Sequence, residues 1–301
     1  MESLNGPSPG DGVQVADGAL VSQNVAQPSS CYACGQGVTQ QRIGVVDVLV
    51  CRRCGMGRVQ AQPKVADYWT RKDPEEQLAE SYWSARRRLF ERALRLLSRE
   101  GASGRVLDFG GGVGHFTECA LELGWDAYTL DSSELAVRAA ADRLGPERSL
   151  SPERVGEFTG TCDVVTLWCV IAHVPDPLVI LQQAMDLLKP GGRLVMTTPN
   201  FLFQAIYARI LAKVGRPLDF VEHDHLLHFT PAALDMLLSR AGLGSWSYRY
   251  LGVTEDCLVE RRLAGAIVPL KRAWNWGALR TGLVGLPPLC AELQVIGSKP
   301  A

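Results

Sequence analysis

The run Val106-Leu107-Asp108-Phe109-Gly110-Gly111-Gly112-Val113-Gly114-His115-Phe116 constrains the fold of this chain more than any other stretch. Apolar residues lead into an acid, glycines follow at alternate positions, and an amphipathic helical pattern begins directly after them. The pattern reads as a buried parallel strand, a tight turn, and a helix whose N-terminus faces a ligand. Gly110, Gly112 and Gly114 carry no Cβ, so the backbone can bend sharply and approach a bound molecule closely. The N–H groups at the helix start can receive an anionic or carboxylate-bearing ligand. A dinucleotide fingerprint needs a third glycine at the sixth position. His115 stands there in one frame and Thr117 in the other, which argues against NAD or FAD.

Downstream, strand and helix patterns alternate. Strands are expected near 105–109, 126–130, 163–169 and 192–197, and helices near 115–123, 133–144 and 177–188. A short third strand belongs within 149–158, and Glu292 to Gly297 reads as the final strand. This alternation implies an α/β fold, a parallel sheet wound with helices on both faces. The segment Trp125 to Asp131 ends in an acid 23 positions after Asp108, at the tip of the second strand. A carboxylate there is suited to accept hydrogen bonds from two ribose hydroxyls. The alternative is a helix N-cap, with Ser132 and Ser133 as competitors.

The sequence V-L-D-x-G-x-G-x-G resembles motif I of the class I S-adenosylmethionine-dependent methyltransferases. Lys189-Pro190-Gly191-Gly192 resembles the turn before that family's fifth strand, and Asp163 to Val174 its fourth strand and following loop. The resemblance implies a doubly wound, Rossmann-like, seven-stranded and mostly parallel sheet whose last strand is antiparallel. It implies S-adenosylmethionine as cofactor, with Asp108, Gly110, Gly112, Gly114, Asp131 and Trp168 as the binding residues. His173, in the loop after the fourth strand, either faces the substrate and cofactor or packs its own loop through hydrogen bonds.

Cys31-x-x-Cys34 and Cys51-x-x-Cys54 form a second signal. Each pair suits a tight knuckle, and the sixteen residues between the pairs match a zinc-ribbon interval. Gly35 and Gly55 follow the pairs, where a knuckle favours positive φ. Four thiolates leave no open position, so a zinc ion there is structural. Residues 43–50 read as strand material between the knuckles. The other five cysteines, Cys119, Cys162, Cys169, Cys257 and Cys290, read as small core residues.

Three of the five histidines lie in Glu222-His223-Asp224-His225-Leu226-Leu227-His228-Phe229-Thr230-Pro231. Thr230 as N-cap and Pro231 at the first helical position start a helix through Ser239, so the histidines occupy the loop before it. Histidine titrates near neutral pH and suits proton removal from a methyl acceptor, with a carboxylate to orient it. The same histidines could instead hold a metal or anchor the loop. The stretch resembles the H-E-H-L-x-Y-F-S segment of nucleotide-sugar C-methyltransferases, which also carry an N-terminal four-Cys module. That resemblance implies His225 as general base, with Asp224 where the family has Glu and Glu222 where it has a catalytic Tyr. The chain is too short for the large C-terminal domain of those enzymes.

The expected organisation is a disordered tail over 1–29, a zinc ribbon over 30–62, and a methyltransferase domain over 63–301 with a lid-like insertion at 257–288. Asp73-Pro74-Glu75-Glu76 looks like a helix start, and a helix is expected over 83–99. The insertion mixes Trp274 and Trp276 with Arg and Lys and suits a lid or a peripheral membrane contact. Neither an export signal nor a transmembrane run is evident, which points to the cytoplasm. The chain has 31 basic and 32 acidic residues and a net charge of −1, which disfavours nucleic acid as partner. The reading is a methyltransferase acting at oxygen or carbon of a small molecule, a sugar or secondary metabolite. The rivals are an RNA base methyltransferase with a recognition ribbon and a non-catalytic partner-binding protein.

Overall fold

The structure is a computed structural model that describes residues 30–59, 80–217, 225–251 and 290–301. The tail 1–29, the helix start at 73–76, Glu222, His223, Asp224, Cys257 and the insertion at 257–288 lie outside the described residues.

The chain begins with β1 (Val38–Ile43), β2 (Val46–Cys51) and β3 (Gly57–Val59). The stretch read as one strand over 43–50 is the turn and second arm of a hairpin. Ile43 pairs with Val46, and Gly44 turns between them at φ 62°. A two-residue hairpin loop needs positive φ, which glycine adopts without strain.

Helix α1 (Glu80–Arg99) buries Phe90, Ala93, Leu94 and Leu97, a 3.6-residue stripe. Then come β4 (Arg105–Phe109), α2 (His115–Glu122), β5 (Asp126–Leu130) and α3 (Glu134–Leu144). The expected third strand shrinks to β6 (Ser149–Leu150), because Pro152 starts a 3-10 helix through Phe158. Next are β7 (Cys162–Trp168), α4 (Pro177–Leu187) and β8 (Leu188–Pro199). Lys189 to Gly192 bulges from the β8 ladder, since Cys162 pairs with Leu188 but Val164 with Arg193. Helix α5 (Phe201–Lys213), capped by the Asn200 side chain, β9 (Leu227–His228), α6 (Pro231–Arg240), β10 (Ser245–Leu251) and β11 (Glu292–Ser298) complete the fold.

Seven strands form one sheet in the order β10-β11-β8-β7-β4-β5-β6. Among the described strands, β11 runs antiparallel to both β10 and β8, as expected of the last strand. Alternate side chains separate onto two faces. Val106, Val164, Val195 and Ile296 pack with Phe90, Leu94 and Phe116 of α1 and α2. Leu107, Val165, Leu167 and Met196 pack with Leu181 and Ala184 of α4 and Leu234 and Leu237 of α6. Strand order reverses between β4 and β7, the crevice where open α/β sheets bind ligands at their carboxyl ends.

A second sheet runs β1-β2-β3-β9, so the N-terminal module borrows its fourth strand from the loop before α6. Gly57 pairs with His228 and Arg58 with Leu227. Arg240 donates to the carbonyls of Tyr32 and Ala33, and Thr230 to that of Cys54. Ile43, Val48 and Val59 pack on Phe201, Ala205 and Ala208 of α5.

A Cβ built on Gly57 falls 2.7 Å from the Phe201 ring and 3.1 Å from Val48 Cγ1, whereas one on Gly37 meets nothing within 4 Å. Overpacking of this kind costs about 1–3 kcal/mol. Gly57→Ala is therefore expected to lower Tm by roughly 2–10 °C in a thermal melt, while Gly37→Ala leaves it nearly unchanged. Equal effects from the two substitutions would contradict the packing of the ribbon on α5.

Candidate active site at the sheet switch point

The turn after β4 is tied down from below. Gly110 and Gly111 both donate to the Leu130 carbonyl, at 2.7 and 3.1 Å, and Gly112 donates to Asp131 Oδ2 at 2.9 Å. Gly114 caps α2 at φ 84° with Leu144 Cδ1 only 2.5 Å from a built Cβ, so a side chain there meets both strain and collision. The sequence places ligand-facing N–H groups at the helix start, and the amides of Gly110, Gly111 and Gly112 just before it are spent on the β5 end.

Asp131 stands at the tip of β5, 8% exposed. Its second oxygen accepts from Ser133 N at 2.9 Å, and Ser133, not Asp131, caps α3. Burial raises its pKa, opposed by the bonds from Ser133 and Gly112. Each oxygen keeps a lone pair beyond these bonds, so the carboxylate can still accept from vicinal hydroxyls.

Asp108 lies beneath the turn. It is 2% exposed and accepts from Thr166 Oγ1 at 2.7 Å. A Cβ on Gly111 would strike both Asp108 Oδ2 and Thr129 Oγ1. Trp168 packs its ring on Phe90 and Phe116, at centroid distances of 4.8 and 5.3 Å. Its Nε1 and Thr117 Oγ1 are buried without a partner.

The loop after β7 forms the facing wall. Val170 packs against Gly110, with its Cγ2 2.7 Å from a Cβ built there. Cys169 adopts φ 62°, alone among the described non-glycine residues in the left-handed region. Read from sequence as a core residue, it is half-buried, with Sγ 3.6 Å from His225 Nε2. The His173 and His225 rings lie 4.7 Å apart. His225 is held by its neighbours, since Leu226 N and Leu227 N both donate to the Ala172 carbonyl at 2.8 and 3.1 Å. His173 and His225 thus meet, while His228 departs. Its Nδ1 pairs with Gln204 Oε1 at 3.0 Å, and burial lowers its pKa to about 4, keeping the ring neutral. His228 anchors the loop apart from His225, and His223, the third histidine of the alternative metal set, lies outside the described residues. Sequence reasoning misses the position of Cys169 because its strained φ leaves no mark in the sequence.

In the ribbon, Cys31 Sγ lies 3.5 Å from Cys54 Sγ, and Cys34 Sγ 3.4 Å from Cys51 Sγ. Tetrahedral zinc with bonds near 2.3 Å sets sulfurs about 3.8 Å apart, so the residues fit a zinc ion. Gly35 and Gly55, both at φ 71°, donate back to Cys31 and Cys51 in matching knuckles. The Cys54 hydrogen bond, aided by backbone amides and opposed by burial, pulls the Cys31 thiol down to about 5.

Comparison with known proteins identifies the fold that carries these residues. Residues 82–248 match the family model described as a methyltransferase domain. The chain belongs to this family. Its fold is that of the class I S-adenosylmethionine-dependent methyltransferases. A ubiquinone biosynthesis O-methyltransferase of Psychrobacter arcticus is 32% identical over 159 residues, 47% of this chain and 59% of the relative. One of Xanthomonas axonopodis pv. citri is 31% identical over 157 residues, 48% of this chain and 64% of the relative. The chain thus spans about six tenths of the length of these relatives. A Thermotoga maritima structure titled a SAM-dependent methyltransferase, possible histamine N-methyltransferase, superposes with TM-score 0.50 at 16% identity, covering 78% of this chain and 99% of that one. No described helix is long and apolar enough to cross a membrane.

Desolvation pushes the Asp108 carboxyl up to about 7, with the Thr166 bond opposing and the Asp131 charge adding. A folded pKa above the unfolded value near 3.9 means that the unfolded chain ionises first. Stability is then lost as pH climbs from about 4 to about 7, by the order of 4 kcal/mol. Asp108→Asn is expected to remove that slope. Urea melts of both proteins at pH 4.5 and 7.5 should show the wild type losing ground to the variant at the higher pH. A pH-independent difference would refute the assignment.

Proposed function

We propose that this chain transfers the methyl group of S-adenosylmethionine to a hydroxyl oxygen of a small-molecule acceptor. The observation that carries the reading is the juxtaposition at the switch point. The Asp131 carboxylate and the α2 N-terminus stand on one side of the crevice, and His225 is held across it beside His173. When bound, the cofactor supplies an electrophilic methyl on a sulfonium. Asp131 receives the ribose hydroxyls, and the turn Gly110, Gly112 and Gly114 accommodates the methionine end. Asp108 braces that turn from below. Trp168, with Phe90 and Phe116, supports it from the α1 side.

Transfer to a hydroxyl requires the oxygen to lose its proton and aim a lone pair at the methyl. His225 is the residue on which that deprotonation depends. Asp224 and Glu222 precede it closely and are the carboxylates nearest in sequence. The names of the relatives favour oxygen over carbon as the methylated atom. Four thiolates, Cys31, Cys34, Cys51 and Cys54, hold a structural zinc ion.

Titration calorimetry with S-adenosylhomocysteine tests the cofactor half. The wild type is expected to bind, and Asp131→Ala to bind at least tenfold more weakly through loss of two ribose hydrogen bonds. An absence of heat with the folded wild type would end the reading. His225→Ala is expected to leave this affinity intact and to lower kcat by about 100-fold or more once an acceptor is in hand. For the ribbon, Cys54→Ser should lose its zinc and lower Tm, as read by metal analysis and a melt; a metal-free wild type of equal stability contradicts the zinc assignment.

A further inference from the structure

We infer that Cys169, His173 and His225 form a second transition-metal site, distinct from the ribbon and open toward the acceptor. The inference rests on the methyltransferase reading for its role, but not for its chemistry.

One sulfur and two imidazoles meet with their ligand atoms all within 4.8 Å of one another. The three arrive from separate constraints. Cys169 and His173 lie four residues apart on the loop after β7, and His225 comes from the loop before β9. Bonds near 2.3 Å to sulfur and 2.05 Å to nitrogen, at the tetrahedral angle, set Sγ and N about 3.6 Å apart. Cys169 Sγ and His225 Nε2 lie 3.6 Å apart, already at that edge length. The set needs only a modest closing of His173 to complete a face.

The backbone is organised around this meeting. Cys169 takes φ 62°, a conformation that is strained for a non-glycine residue. Its amide is held by the Thr197 carbonyl at 3.1 Å, and the His173 amide by that of Val170 at 3.0 Å. The Ala172 carbonyl, between the two ligands in sequence, clamps the segment that bears His225.

Soft sulfur with imidazole selects zinc or a neighbouring late first-row divalent ion over magnesium. Three protein ligands leave a fourth position free, the pattern of catalytic rather than structural sites. Val170, directly after Cys169, packs against Gly110 of the cofactor turn, which brings this set to the switch point. A hydroxide on the ion would take the acceptor's O–H proton and leave as water, while the acceptor oxygen takes its place on the ion. The oxygen then forms its bond to the methyl carbon as the carbon–sulfur bond breaks, and S-adenosylhomocysteine departs neutral at sulfur. His225 serves deprotonation by holding the ion.

Metal analysis of the full chain, equilibrated with zinc and freed of excess, tests the site without any acceptor. About two ions per chain are expected for the wild type, one in each site, and about one for Cys169→Ser and for His173→Asn. In a parallel cobalt titration, the thiolate-to-metal absorption of the wild type should exceed that of Cys169→Ser, whose remaining signal comes from the ribbon. Circular dichroism confirms that each variant is folded, and two independent variants guard against one misfolding. One ion in the wild type, unchanged by either substitution, would overturn the site. Binding of S-adenosylhomocysteine with a single ion leaves the methyltransferase reading standing and this inference failed. Two ions falling to one, without S-adenosylhomocysteine binding, leaves the site standing and the reading failed.

Discussion

The Ala172 carbonyl is the atom on which the site depends. By accepting from both Leu226 and Leu227, it fastens the loop before α6 to the loop after β7. Without that junction, His225 would have no fixed relation to Cys169 or His173, which lie more than fifty residues earlier. The other edges of the segment are also filled. Leu226 O accepts from Val59 N at 3.2 Å, β9 pairs with β3, and Phe229 O accepts from Phe201 N at 2.9 Å. A buried extended segment must satisfy its backbone groups. Here the β7 loop, the start of α5 and the ribbon satisfy them together.

The ribbon is therefore a support of the site. Its third strand supplies the ladder for the segment that presents His225, and its second knuckle accepts from the Thr230 hydroxyl that also caps α6. Order in the knuckles is thereby transmitted to the histidine through main-chain hydrogen bonds. Cys31, Cys51, Cys54 and Met56 belong to the same apolar cluster as Leu226, Phe229 and Leu234. A boundary near residue 62 divides the sequence, but the packing crosses it.

The parts of the fold that lie on one periodic stretch are legible in the residues alone. The β4 turn, the two acids at strand tips, the helices over 115–123, 133–144 and 177–188, and the final antiparallel strand all announce themselves locally. Thr230 and Pro231 place α6 within a residue. What is not legible arises between distant stretches. Nothing in Gly57-Arg58-Val59 says that its partner is Leu227-His228, because two short segments carry too little pattern to specify register. The placement of Cys169 depends on a left-handed φ that its side chain does not favour, so local reasoning assigns it to the core. His228 looks equivalent to His225, and only the alternation of an extended segment, which sends one ring toward Cys169 and the other toward Gln204, separates them. Helix α5 begins where Asn200 accepts from Leu202 N, a cap that becomes readable once β8 is seen to end at Pro199.

The acids beneath and beside the glycine turn show how function shapes stability here. Asp108 and Asp131 are both buried and both raised in pKa by desolvation, and the Asp131 charge adds to the rise at Asp108. Neither is matched by a cationic side chain among its described hydrogen bonds, which come from Thr166 and from the amides of Gly112 and Ser133. Burying a carboxylate without an opposite charge costs stability. A fold selected for stability alone would place an apolar residue at 108. On the proposed reading, the missing charge arrives with the cofactor, whose sulfonium and ammonium groups are cationic. The turn is then least stable when empty and gains most from a positively charged ligand.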